Sequence, residues 1–106
     1  MSFQTIYEIQ ADLCRTMSSA PRLEIVHLLR DGPKRVSEIV EITGYPQGMI
    51  SRHLAVLRNG GVLKARRQGK DIFYQIANPK IVNICDLMRE VLAEETSQRS
   101  RLIKDL

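Results

Sequence analysis

Apolar residues recur every three or four positions through most of this chain, and every second position through one short stretch. Over residues 3–18, Phe3, Ile6, Tyr7, Leu13, Cys14 and Met17 mark an amphipathic helix. Ser18-Ser19-Ala20-Pro21 ends it, and Pro21 suits the first turn of a second helix over 21–31, where its missing N–H is not needed. Leu23, Ile25, Val26, Leu28 and Leu29 form the inside of that helix, and Asp31-Gly32-Pro33 stops it. Ser37 reads as the N-cap of a short helix carrying Ile39, Val40 and Ile42 and closed by Gly44. After the link Tyr45-Pro46-Gln47, a helix over 47–59 buries Ile50, Leu54 and Leu57 (i, i+4, i+7) and ends at Asn59-Gly60-Gly61.

The period then falls to two. In Val62–Arg67, Leu63 and Ala65 alternate with Lys64 and Arg66; in Asp71–Ile76, Ile72, Tyr74 and Ile76 alternate with Phe73 and Gln75. Around the turn Gln68-Gly69-Lys70 this is a β-hairpin. Asn78-Pro79 opens a last helix over 79–95, with Ile81, Ile84, Cys85, Met88, Val91 and Leu92 apolar, and the polar tail from Glu94 to Leu106 is expected to fray. The fold class is mainly α with a small β-hairpin, in the order α-α-α-α-β-β-α, as one domain over residues 1–106.

Charge adds what the periodicity lacks. From Ile42 to Lys70 there is no acidic residue, while Arg52, Arg58, Lys64, Arg66, Arg67 and Lys70 are basic. Those six against a net charge of +4 leave −2 for the rest of the chain, so the positive charge is local. A local basic patch on a small domain is the footprint of a nucleic-acid-binding surface. No apolar run approaches the ~20 residues of a membrane span. No secretory signal pattern opens the sequence, so a cytoplasmic protein is expected. An enzyme is not expected: the sequence holds no nucleophile–base pair, Gly-rich phosphate loop or metal-hydrolase motif.

Two short helices over 36–59 joined by a tight turn, then a basic hairpin over 62–76, make a winged helix-turn-helix. Its second helix must enter the major groove, about 12 Å wide, with N-terminal side chains toward base edges. With Ile50, Leu54 and Leu57 inward, the helical wheel leaves Gly48, Met49, Ser51, Arg52 and Ala55 outside and Gln47 at the helix start. Gln pairs with adenine and Arg with guanine, and Ser51 serves a base or a phosphate. Arg58 suits a phosphate, as do Arg66, Arg67, Gln68 and Lys70 of the wing. His53 is read as a half-buried structural residue or a phosphate contact. The competing reading is a winged-helix docking module whose wing binds an acidic protein without specific DNA binding.

From Pro21 to Ile76 the chain resembles the ArsR/SmtB family of bacterial repressors. The resemblance lies in Ala20-Pro21-Arg22-Leu23-Glu24-Ile25 with Leu28-Leu29, in Val36-Ser37-Glu38-Ile39, and most distinctively in Ile50-Ser51-Arg52-His53-Leu54-Ala55-Val56-Leu57-Arg58. Gly60-Gly61-Val62-Leu63, Arg66-Arg67-Gln68-Gly69-Lys70 and Phe73-Tyr74 complete it. It implies a homodimer built on the first and last helices (3–18 and 79–95), a palindromic double-stranded operator, and release on a chemical signal. The wide apolar stripes of both terminal helices agree, because burial across a two-fold axis would remove them from water. The chain departs from the family where a hydroxyl cap and Pro-Thr are usual: here stand Pro46, Gly48 and Met49, which bears on base preference.

No cofactor is expected. The helix before the recognition helix lacks the cysteine cluster of one family metal site, and the last helix lacks the histidine of another. Asp86, Glu90 and Glu94 (i, i+4, i+8) read as a solvated acidic face, and His27 and His53 are too far apart to share a metal. Cys14 and Cys85 remain as candidates for a thiol sensor, through a reversible disulfide, a persulfide bridge or a thiophilic metal or metalloid. The other reading is two small hydrophobes.

Overall fold

The computed structural model describes residues 3–104, with side chains as far as Thr96. Helix α1 (Ile6–Met17) is followed by α2 (Ala20–Leu28), which tightens into a 3-10 turn at Leu29–Asp31. Strand β1 (Lys34–Arg35), α3 (Val36–Thr43), α4 (Gln47–Asn59), β2 (Leu63–Gln68), β3 (Asp71–Ile76) and α5 (Lys80–Lys104) complete the order.

Helix α1 starts three residues later than its apolar spacing predicts, because Thr5 caps it. The Thr5 hydroxyl accepts from the Glu8 amide at 3.1 Å and Glu8 reaches back to the Thr5 amide at 3.4 Å. Ser37 is not the cap of α3. The helix already runs at Val36, and the Glu38 carboxylate accepts from the Arg35 amide at 3.0 Å, which holds that carboxyl below its ordinary pKa. The start is set from outside the helix: Lys34 and Arg35 pair with Tyr74 and Phe73 as a short strand. Gly44 closes α3 in the left-handed region, φ +75°, its amide donating to Val40 O at 2.8 Å.

The sheet order is β1-β3-β2, all antiparallel. Gln68 pairs with Asp71, so the wing turn is the two residues Gly69-Lys70 rather than three. Gly69, at φ +64°, supplies the positive φ that the first position of such a hairpin demands. The expected fraying after Glu94 is not seen: α5 continues helical to Lys104, and Asp105 and Leu106 lie outside the described residues.

Ile25, Val26, Leu29, Ile39, Ile50, Leu54, Leu57 and Val62 are fully buried, with Met17, Leu63 and Cys85 beside them. The three α4 positions in that core are those its spacing predicts. The terminal stripes behave differently. Of twelve exposed large hydrophobics among the described residues, nine lie at or on the terminal helices: Phe3, Ile6, Tyr7, Ile9, Ile84, Leu87, Met88, Val91 and Leu92. Leu13, Met17, Ile81 and Cys85 pack on the core of the chain, while these nine leave the outer part of each stripe uncovered.

Candidate nucleic-acid interface

The buried stripe of α4 packs against α3 and β2 and fixes which side chains face out. Gln47, Gly48, Ser51, Arg52 and Arg58 are exposed; Met49, His53 and Ala55 are half-buried. The turn before α4 is tied down on both sides. Thr43 donates to Ile39 O at 2.8 Å and accepts from the Tyr45 amide at 3.2 Å. The Tyr45 hydroxyl bonds Glu24 of α2, which raises the phenol above its ordinary pKa. Pro46 offers no side-chain cap to α4. No N-cap side chain therefore satisfies the first amides of the helix. A Cβ at Gly48 would sit 3.6 Å from Arg52 Nη1, an ordinary contact, so nothing inside the chain demands glycine there.

In the wing, Leu63 and Ala65 lie opposite Ile76 and Tyr74 over the body, while Lys64 and Arg66 alternate with them. Arg66, Arg67, Gln68, Gly69 and Lys70 are all exposed, and Ile72, read as inward-facing, is 43% exposed because the hairpin tip extends past the core. Ion pairs engage four arginines outside this surface. Arg15, Arg30, Arg35 and Arg89 are matched to Asp12, Asp86, Glu38 or Asp71. Among the described residues Arg52, Arg58, Lys64, Arg66, Arg67 and Lys70 make no ion pair.

His53 is half-buried and meets Arg22 of α2. Its Nδ1 lies 3.4 Å from Arg22 Nη1, and burial, then Arg22 and Arg52, hold its pKa below the ordinary 6.5. Arg22 also donates from Nε to Thr16 O at 2.7 Å and from Nη2 to Arg15 O at 3.3 Å. It thereby caps the last turn of α1 while touching the recognition helix. Periodicity does not reveal this role, since Arg22 reads as one more charged residue at a helix start.

Cys14 is exposed and Cys85 is buried, yet both line one cavity of about 350 Å³ between α1 and α5. Burial pushes the Cys85 thiol above its ordinary pKa. Asp86 is not part of a solvated face: Arg30 grips it with two bonds, of 3.0 and 2.6 Å, and Arg89 bonds it from one turn along α5. Arg30 foremost holds the Asp86 carboxyl below its ordinary pKa. His27 lies with Nδ1 3.0 Å from Arg30 and 3.3 Å from Arg89. Among the described residues no three His, Cys, Asp or Glu side chains gather as a metal site. No described helix is long and apolar enough to cross a membrane.

The model of the bacterial regulatory protein arsR family matches residues 20–65, from the start of α2 into β2. The chain is similar to an uncharacterized HTH-type transcriptional regulator of Mycobacterium tuberculosis, Rv0081, with 33% identity over 107 residues, 100% of this chain and 94% of that one. The crystal structure of Rv0081 matches with a TM-score of 0.80 over 92% of this chain and 98% of that chain. The transcriptional repressor PagR of Bacillus anthracis is 40% identical over 85 residues, 79% of this chain and 85% of the repressor. Its crystal structure has a TM-score of 0.71, covering 77% of this chain and 94% of that one. A homodimeric winged helix-turn-helix DNA-binding domain from Mycobacterium bovis has a TM-score of 0.75 at 28% identity, over 89% of this chain and 92% of that one. Full-length identity, shared architecture and the matched helix-turn-helix agree: this chain belongs to the ArsR family of bacterial regulatory proteins.

Proposed function

We propose that this DNA-binding transcriptional regulator is a homodimeric repressor of a palindromic operator, released by a chemical signal received at Cys14 and Cys85. One observation carries the DNA contact: among the described residues the six cations of α4 and the wing are left without acidic partners, whereas Arg15, Arg30, Arg35 and Arg89 are paired. Gln47, Gly48, Met49, Ser51 and Arg52 are assigned to the major groove, with Gln47 and Arg52 as base readers. Arg58, Arg66, Arg67, Gln68 and Lys70 are assigned to phosphates. His53, turned toward Arg22, supports α4 from behind.

The homodimer is supported by the exposed stripes of α1 and α5, whose burial is worth about 25 cal/mol per Å². A two-fold axis there sets two recognition helices on successive major grooves, about 34–36 Å apart, hence the palindrome. The sensor is supported by the shared cavity of the two cysteines, on the helices that would form the dimer.

The test is fluorescence anisotropy of the purified protein on its own upstream DNA and on scrambled DNA, with thiols reduced and then oxidised. Tight, sequence-selective binding when reduced and release when oxidised is the expected result. Selective binding in both states removes the redox form of the signal. Absence of selective binding in either state overturns the repressor reading and brings forward a docking module with an acidic partner.

A further inference from the structure

Cys14 is followed three residues later by Met17, and Cys85 three residues later by Met88. Residues three apart in a helix share a face. Here the two Cys-x-x-Met turns, one on α1 and one on α5, border the same cavity of about 350 Å³. We propose that this cavity binds a soft monovalent metal ion, Cu(I), between the thiolates of Cys14 and Cys85, with the thioethers of Met17 and Met88 completing the sulfur donor set. The inference rests on the reading of the two cysteines as the sensor and names what they sense.

The donor chemistry selects the ion. Thiolate and thioether ligands favour Cu(I), whereas zinc takes thiolate, imidazole and carboxylate, and calcium and magnesium take oxygen. Among the described residues no carboxylate or imidazole lines the cavity, and its other polar side chains are Gln10 and Ser18. A disulfide would use neither methionine, although both line the cavity. Coordination balances simply: each thiol gives its proton to solvent, and Cu(I) with two thiolates leaves one net negative charge. Arg89 is near enough to Cys85 to favour that charge, while Asp86 opposes it.

The site also has a route outward. Drawing α1 toward α5 moves the helix whose last carbonyls, Arg15 O and Thr16 O, are held by Arg22, and Arg22 contacts His53 on the recognition helix.

The experiment titrates reduced, full-length protein with Cu(I) under anaerobic conditions against a bathocuproine competitor, with operator anisotropy run in parallel. One Cu(I) per chain is expected, undisplaced by excess Zn(II). Changes outside a metal's ligand set already cost about 10–100-fold in affinity. Met17→Leu and Met88→Leu, which nearly preserve volume, should therefore each weaken Cu(I) binding at least about tenfold. Cys14→Ser, at an exposed position, should abolish it. Absence of Cu(I) binding, or binding indifferent to both methionine substitutions, overturns the site. If Cu(I) is not bound but an oxidant or polysulfide releases DNA, the metal assignment falls and the sensor reading stands. If Cu(I) binds with the methionine dependence and DNA affinity does not change, the site stands and the sensor reading falls.

Discussion

Replacing Arg67 with alanine should change the response of DNA binding to salt more than the choice of sequence. Each chain presents six exposed or wing-borne cations without an acidic partner: Arg52, Arg58, Lys64, Arg66, Arg67 and Lys70. Each phosphate neutralised on B-DNA contributes about 0.9 to the slope of log affinity against log salt, which puts the ceiling for a dimer near −11. Arg67 sits on the last turn-ward residues of β2, opposite Ile72 and beyond the core, where it can reach backbone oxygens. Its loss from both protomers should flatten the slope by about 1.8. Between about 50 and 200 mM salt, wild-type affinity should therefore fall about twelvefold more than that of Arg67→Ala. Anisotropy titrations at four salt concentrations, on the operator and on single-base variants, measure both quantities. An unchanged slope refutes the phosphate contact, and a loss confined to one base position refutes the assignment in favour of direct readout.

Arg52→Ala should cost about 1–3 kcal/mol on the specific operator and relax preference at one position; unchanged affinity and preference on operator variants would remove Arg52 as a base reader. Gly60→Ala brings a Cβ to 2.7 Å from Thr16 Cγ2 and Oγ1. It should destabilise by about 1–3 kcal/mol in urea at fixed protein concentration, with Thr16→Ala restoring most of the loss in the double variant. A double variant no more stable than Gly60→Ala would show that Thr16 is not the obstacle. His53 has a folded pKa below 6.5, so below that pH the unfolded chain binds the extra proton and stability falls until the folded imidazole also titrates. Urea titrations across that window should show wild type losing stability relative to His53→Gln, while parallel curves would refute the coupling.

What periodicity could read, it read well. Helix α4 occupies residues 47–59 as its spacing requires, because one amphipathic stripe with turn residues at both ends carries all the local information. The wing was legible for the same reason, since period two around a glycine has one economical outcome. The misses share a cause, which is pairing over long sequence distances. Strand β1 is two residues long and exists only through Tyr74 and Phe73, about forty residues away, and it displaces the start of α3 from Ser37. Asp86 looked solvated because its partner Arg30 is 56 positions away. Arg22 gave no sign of its three partners. The end of α5 differs for another reason: the segment is polar, but Glu, Gln, Arg, Leu and Lys are good helix formers and carry the helix without an apolar stripe. In the candidate interface, the exposed cations were legible from charge alone. The orientation of His53 and the cavity shared by the cysteines required the packed fold.

The small sheet has two open edges, β1 and β2. An unpaired edge is a template for another chain's strand, and edge lysines and arginines are a common means of blocking such growth. Here β1 consists of Lys34 and Arg35, and β2 carries Lys64, Arg66 and Arg67. The charges assigned to phosphates therefore also keep the sheets of separate molecules from joining. A wing neutralised to abolish DNA binding would lose that protection, and its aggregation at high concentration would follow from the same arginines.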